Sequence, residues 1–486
     1  MSAALLIFAS RTMQSALADP PRRVWTREMR ETLALTGPLA LTQLGQIAML
    51  TTDVLLIGRL GETALAAGAL GHVVLFSAFV IGMGTVMATA PLAAQAVGAR
   101  RPRTLRRVVR QGLWVALLTT LPVCLLVTPV AGDLLLALGQ PAAVAVRAHE
   151  FLSTLLWCLP SAIAFVVLRN FAAALNRPMP GLWVMLAGVP LNAALAWALI
   201  FGRLGAPRME LAGAGLASAL VNLLMLAAML AVTTRLAPFR RYRILGRFWR
   251  PDWEIFRRIF ALGLPIAAAF FMEYGIIAFA AVMMGWIGAT AIAAHQIALQ
   301  IASISFMVPF GIGQAATVRV GHAVGRGDPD GVRRAGWCAI ALGVVFMAAM
   351  SAVILAMPEA LAGLFIDAEA PGGARVVALA GSLLLIAAAF QMADGAQTIG
   401  LQALRGLNDT AAPMAIALFG YWAVGFPAGY GLAFAAGWGA VGIWVGLAAG
   451  LGTVAVLVTV RFARMTRPHP ARAAGLAAGS RSECGR

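Results

Sequence analysis

Residues Leu262–Trp286 read LGLPIAAAFFMEYGIIAFAAVMMGW. The run is long enough to cross a bilayer, which takes about 20 predominantly apolar residues at roughly 1.5 Å rise each. Glu273 sits near its middle. An ionised side chain at that depth costs at least ~2.5–3.5 kcal/mol on insertion scales, so it faces a bundle interior or a water-filled cavity rather than lipid. Pro265 precedes it and removes a backbone hydrogen bond that lipid cannot replace but neighbouring helices can. A bendable helix presenting a buried acid is a place where a proton, a cation or a cationic solute can be held.

The rest of the chain extends this pattern. Of its 486 residues, 61% are hydrophobic and 12% charged, with mean hydropathy +0.86; soluble domains average about 25% charged. Long apolar runs exclude an outer-membrane barrel, whose strands alternate over about ten residues. The formal charge of +18 does not point to nucleic acid, because most of the basic residues, all of them Arg, sit in short connections between apolar spans. Cys124, Cys158, Cys338 and Cys484 have no metal-ligand or redox spacing, and the first three read as small hydrophobes within spans. The opening MSAALLIFASRTMQSALADPP has a short apolar run interrupted by Arg11 and no basic region before it, which favours a disordered cytoplasmic extension over a cleaved signal.

Apolar periods bounded by Gly, Pro and Arg clusters predict twelve spans near 34–57, 66–92, 108–130, 143–172, 181–203, 211–234, 258–285, 291–318, 335–357, 376–402, 411–435 and 438–460. Alternate connections carry Arg clusters such as Arg100, Arg101, Arg103, Arg106 and Arg107, and Arg235 to Arg250 in the middle. The others carry only Arg59, Arg147, Arg203, Arg208 and Arg375. This asymmetry places both termini in the cytoplasm.

The halves repeat. At an offset of 227, Pro38 meets Pro265, Gly61 meets Gly288, Gly84 meets Gly311, Ala96-Val97-Gly98 meets Ala323-Val324-Gly325, and Arg106-Arg107 meets Arg333-Arg334. A parallel repeat of six spans is the plan of transporters that rock two lobes about a central site. The expected organisation is an extension (1–32), an N-lobe (33–234), an Arg-rich inter-lobe linker (235–257), a C-lobe (258–460) and a cytoplasmic tail (461–486). The fold class is an all-α polytopic membrane protein of twelve helices in two pseudo-symmetric lobes.

Three acids lie well inside spans: Asp53, Glu273 and Asp394. Thr42, Gln46, Met49 and Asp53 share one helix face; Gln391, Asp394, Thr398 and Gln402 form a second stripe, and Gln296, Gln300 and Ser303 a third. Such stripes should converge on the interior. For the Gln and Thr residues, simple interhelical hydrogen bonding at ~0.6 kcal/mol is an equally good reading. For the acids it is not, since no basic residue is expected mid-span to neutralise them. At the repeat offset Glu273 meets Gln46, and Asp53 meets Ala280, so the acids serve particular sites rather than the duplicated scaffold. His72 and His295 read as satisfied polar residues. Phe270, Phe271, Tyr274, Phe390, Tyr421 and Trp422 read mostly as packing, with Phe270, Tyr274 and Phe390 able to stack on a cationic ligand. GxGxxG and P-loop patterns with a following Lys are absent, so nothing in the sequence points to an ATP-driven pump.

The stretches TTDVLLIGRLGETALAAGALG (51–71), AAHQIALQIASISFMVPFGIGQAATVRVGHAVGRGD (293–328) and LRGLNDTAAPMAIALFGYWAVGFPAGY (404–430) resemble the multidrug and toxin extrusion (MATE) family, in its NorM-like bacterial branch, over about residues 30–462. The resemblance implies two lobes forming a V around a central cavity, and export of amphipathic organic cations in exchange for H⁺ or Na⁺. It implies further that the family's first-helix Pro falls on Pro38, that Glu273, Asp394 and Asp53 couple the cation, and that Asn192 belongs to the N-lobe polar network. The repeat, which matches Pro38 with Pro265, predicts that both first-in-lobe gating helices bend near them. Na⁺, if used, would sit at Glu273 and Asp394; no other metal or cofactor is implied. Phe390 stands where relatives can carry a Tyr, and Ala196 where some are acidic, which leaves the identity of the coupling ion open. The expected setting is the bacterial inner membrane, as a monomer without nucleic-acid partners. A lipid-linked saccharide flippase would require Arg inside the cavity and fourteen spans, and a membrane enzyme would require a catalytic or metal cluster; neither pattern is seen in the sequence.

Overall fold

The computed structural model describes residues 21–467, apart from 138, 204, 367–368 and 370–371. The opening segment to residue 20 and the tail with Cys484 lie outside the described residues. Twelve spans follow one another: α1 (Pro21–Gly58), α2 (Glu62–Gly98), α3 (Pro102–Ala137), α4 (Ala142–Leu155 and Cys158–Ala174), α5 (Met179–Phe201) and α6 (Glu210–Arg235) form the N-lobe. The C-lobe comprises α7 (Trp253–Ile287), α8 (Ala289–Arg326), α9 (Pro329–Ala356), α10 (Gly373–Gly406), α11 (Ala411–Ala435) and α12 (Gly439–Met465). The chain is thus a multi-pass membrane protein. Several helices outrun the predicted spans; α1 starts at Pro21 because the amphipathic stretch before residue 33 continues the helix without a break.

α4 is bent by 42° between its two parts. Pro160 has no N–H to offer Leu156, and its ring crowds that carbonyl. The Cys124 thiol on α3 donates to the Leu156 carbonyl at 3.1 Å, so this cysteine does more than fill space. α11 contains two π-helical stretches, Phe419–Gly425 and Gly431–Ala435. The first turns Tyr421 inward, where only 1% of it is exposed.

The repeat seen in the sequence reappears as geometry. A Cβ added at Gly84 on α2 would strike Ala267 on α7, and one at Gly311 on α8 would strike Ala40 on α1. Gly98 lies against His322, and Gly325 against Gln95. Each pair maps onto its partner by the 227 offset, so the lobes meet across a pseudo-two-fold axis. Further along the chain the offset becomes 232: Asn176 and Asn408, which end the turns after α4 and α10, both take positive φ (55° and 62°).

Hydrogen bonds obey the same relation. Gln95 Nε2 donates to the Gly406 carbonyl at 2.9 Å, and His322 Nε2 donates to the Ala174 carbonyl at 2.7 Å. Each side chain reaches the last turn of α10 or α4 in the opposite lobe. Arg319 on α8 adds a bidentate ion pair to Glu28 on α1, both bonds 2.8 Å, and reaches Glu31 at 2.6 Å. All these contacts lie at the end of the bundle that carries the Arg clusters. Nearer mid-span the lobes touch through Phe76 and Tyr274, with ring centroids 4.9 Å apart. The two six-helix lobes are therefore sealed at the Arg-rich end and form a V opening the other way.

The segment between the lobes is docked rather than slack. Phe239 and Ile244 are buried, Trp114 on α3 stacks on Phe248 at 5.3 Å, and Arg110 donates to the Arg247 carbonyl at 2.8 Å. Asp252 caps α7 through Ile255 N and pairs with Arg107.

Candidate functional site

Glu273 stands near the middle of α7 and Asp394 near the middle of α10. Both are half-buried, and among the described residues neither has a side-chain hydrogen bond or an ion pair. They lie within electrostatic range of each other. On α10 the inward stripe runs from Gln391 through Asp394, Thr398 and Gln402 to Arg405. Gln391 leaves both amide atoms unpaired although buried, and Thr398 Oγ1 and Gln402 Nε2 are also unpaired. Buried polar atoms without partners cost ~1–3 kcal/mol each, which marks this wall as one that water or a polar ligand completes. Tyr421 Oη accepts from Gln397 Nε2 at 2.5 Å and faces the same acids.

Arg405 corrects the sequence reading. The tenth predicted span stops at residue 402, but α10 continues through Arg405 and leaves it 5% exposed. Its guanidinium lies 4.7 Å over the Phe270 ring, within electrostatic range of Glu273 yet beyond 4 Å ion-pair contact. A basic residue therefore does neutralise part of the acid charge, and the Phe270 face is occupied by the chain itself. Extending the α10 stripe by one further three-residue step would have found it. Arg169 likewise lies buried near the end of α4 and donates to Gln43 Oε1 at 2.8 Å. Beside Arg405 a cavity of about 10 Å³, lined also by Asn170, Gln314 and Gln402, has room for about one water.

The N-lobe acid is differently placed. Asp53 is 7% exposed and accepts from Asn192 Nδ2 at 2.6 Å and Ser218 Oγ at 2.9 Å. Asn192 thus joins Asp53 as expected; Ser218 carried no signal in the sequence, being one small polar residue in an apolar run. Thr42 donates to the Pro38 carbonyl at 2.7 Å, and Gln46 is half-buried without a side-chain partner among the described residues. Both α1 and α7 continue through Pro38 and Pro265, and each proline lies two residues before the alanine that packs on the opposite lobe's glycine.

In the third stripe Ser303 is half-buried. Gln296 and Gln300 are exposed on α8, as residues lining the open V would be. Phe390 packs on Trp444, whose indole N–H donates to His295 Nδ1 at 3.1 Å. His72 bonds the Gly68 carbonyl at 2.8 Å. Among the described residues no three His, Cys, Asp or Glu gather as a metal site.

A twelve-span bundle of two repeated lobes, with unpaired acids facing its interior, defines a membrane transporter. The MatE family profile matches residues 38–198 and 265–431, one match per lobe, and the chain belongs to the multidrug and toxin extrusion family. It is 48% identical over 460 residues to the probable multidrug resistance protein NorM of Mesorhizobium japonicum, covering 94% of this chain and 98% of that one. The NorM protein of Rhodopseudomonas palustris is likewise 48% identical over 459 residues, covering 94% and 96%. Among solved structures, the eukaryotic MATE transporter AtDTX14 superposes with TM-score 0.80 at 22% identity, covering 91% and 99%. A MATE in the straight conformation superposes with TM-score 0.81 at 19% identity, covering 90% and 96%. The protein is a transporter of the NorM multidrug efflux type and not an enzyme.

Proposed function

We propose that the protein is a secondary antiporter that exports amphipathic organic cations in exchange for H⁺ or Na⁺, with Glu273 and Asp394 holding the exchanged cation. The observation that carries this reading is the pair of half-buried, unpartnered carboxylates within electrostatic range of each other. Two carboxylates and one Arg405 leave the site with one surplus negative charge. One monovalent cation, whether a proton, Na⁺ or the drug, completes it, and a second is repelled. Ion and drug therefore exclude each other, which is the coupling an exchanger needs. Phe270 holds Arg405 in place, while Tyr274 and Phe390 remain as aromatic surfaces for the drug.

Asp53, bonded by two neutral donors, holds α1 against α5 and α6 and changes their packing when it gains or loses a proton. Pro38 and Pro265 let α1 and α7 bend where they cross the other lobe, so the seam at the Arg-rich end can part. The Arg distribution puts that end and both termini in the cytoplasm of a bacterial cell, so the V opens outward. Cys484 is then labelled only after permeabilisation; labelling on intact spheroplasts contradicts the orientation. A flippase for an anionic lipid carrier gains one argument from the interior Arg405, but the twelve spans and the NorM relatives favour drug export. Ethidium transport into inverted vesicles tests the function, with pH and Na⁺ gradients imposed separately. One of the two drives accumulation; failure of both contradicts the proposal.

A further inference from the structure

Arg59, Arg147, Arg203 and Arg208, four of the few arginines at the end opposite the Arg clusters, converge on one cleft of about 490 Å³. They come from the α1–α2 turn, the first turns of α4 and the α5–α6 connection, so the sequence disperses what the fold collects. The one acid in the cleft, Glu210, reaches Arg208 at 3.1 Å and Arg147 at 3.8 Å. Arg59 and Arg203 have no acidic partner within 4 Å among the described residues. Four guanidiniums and one carboxylate leave a surplus of three positive charges in a concave site. Such a site raises the local concentration of anions, and guanidinium forks match phosphate oxygens in pairs.

The wall of the cleft is aromatic and apolar: Trp197 and Phe201 of α5, with Leu60. Trp197 is 41% exposed. Arginines at the ends of spans beside an exposed Trp occupy the level of lipid headgroups. The charge is peculiar to the N-lobe, because at the repeat offsets Arg59 falls on Trp286 and Arg147 on Leu379. It is therefore no by-product of the duplicated scaffold.

We propose that this cleft binds the phosphate headgroup of an anionic phospholipid. Arg59 and Arg203 grip the phosphate, Arg147 and Arg208 are held ready by Glu210, and the acyl chains lie along Trp197 and Phe201. The bound lipid bridges α1, α4 and the α5–α6 connection, directly beyond the Asp53–Asn192–Ser218 bonds that tie α1, α5 and α6.

The test is native mass spectrometry of the delipidated full chain titrated with phosphatidylglycerol, with phosphatidylcholine and with inorganic phosphate alone. Phosphatidylglycerol adducts form at low lipid concentration and phosphatidylcholine adducts do not. R59Q/R203Q weakens phosphatidylglycerol binding about twenty-five-fold, taking roughly fivefold for each arginine near an anionic headgroup. R375Q, at the same end but outside the cleft, leaves it unchanged. If the double variant does not purify as a folded monomer, R59Q alone shows about a fivefold loss. Equal phosphatidylglycerol binding by R59Q and wild type overturns the site. Displacement of the lipid by inorganic phosphate alone overturns the lipid assignment in favour of a free anion.

Discussion

Glu273 and Asp394 differ from Asp53 in one respect on which their proposed roles rest: among the described residues their oxygens have no hydrogen-bond partner, whereas both Asp53 oxygens do. Glu273→Gln keeps size and removes titration, so the variant inserts and purifies normally while gradient-driven efflux collapses; Asp394→Asn behaves alike. Glu273→Asp retains partial transport with a displaced pH optimum. Full ethidium resistance from a well-expressed Glu273→Gln protein would reduce the acid to a packing residue. Asp53→Leu removes both acceptors and leaves the Asn192 amide and the Ser218 hydroxyl without this partner, a loss of ~1–3 kcal/mol. It lowers the thermal midpoint in detergent, and an unchanged midpoint would show the bonds to be dispensable. The acids were legible in the sequence because charge in an apolar span stands out by itself. Arg405 and Ser218 were not, the first because the helix end was drawn one turn short, the second because a single hydroxyl is unremarkable among small residues until its partner is known.

Among elements, the seam between α2 and α8 sets which end of the V is closed. Gly98 and Gly325 allow the backbones to approach, and Gln95 and His322 fasten each helix to the fourth helix of the other lobe. Gly98→Val places a side chain against the His322 carbonyl. Spin labels at the repeat-related exposed positions Arg103 and Asp330 should then report a longer distance than in the parent protein, and an unchanged distance would show that the seam absorbs the added volume. The docked linker offers a second measurement. The hydrogen bond from Arg107 holds the Asp252 carboxyl below its ordinary range. A depressed carboxylate stabilises the fold fully above its ordinary value of ~3.9 and progressively less as pH falls through the lower native one. The part of the thermal midpoint that Asp252 contributes, read as the difference from Asp252→Asn, should be flat from neutral pH to about 5 and shrink below about 4. In Asp252→Asn the neutral-pH midpoint drops and the acid fall is shallower; superimposable curves would leave the pair without effect. Span number and order were legible from apolar periods, since lipid admits no other spanning structure here. The α4 bend and the π-helical turns of α11 were not, because they depend on which neighbour receives the freed carbonyls.

For the whole molecule, the most informative sequence signal was the 227-residue repeat, which set the lobes before any contact was known. What it withheld was the reciprocity: that residue 95 of one lobe and residue 322 of the other each grasp the far lobe's fourth helix. That relation exists only once two copies are apposed about an axis. The same apposition makes transport conceivable, since two like bodies sealed at one end can trade that seal for one at the other. The central claim is that one site accepts either the drug or the coupling ion. Ion release on drug binding measures it directly. Purified protein in weakly buffered detergent, given tetraphenylphosphonium, should release protons to a pH indicator, or bound ²²Na⁺ if Na⁺ is the coupling ion, and Glu273→Gln/Asp394→Asn should release neither. Saturable drug binding by the parent protein without release of either ion would contradict the account.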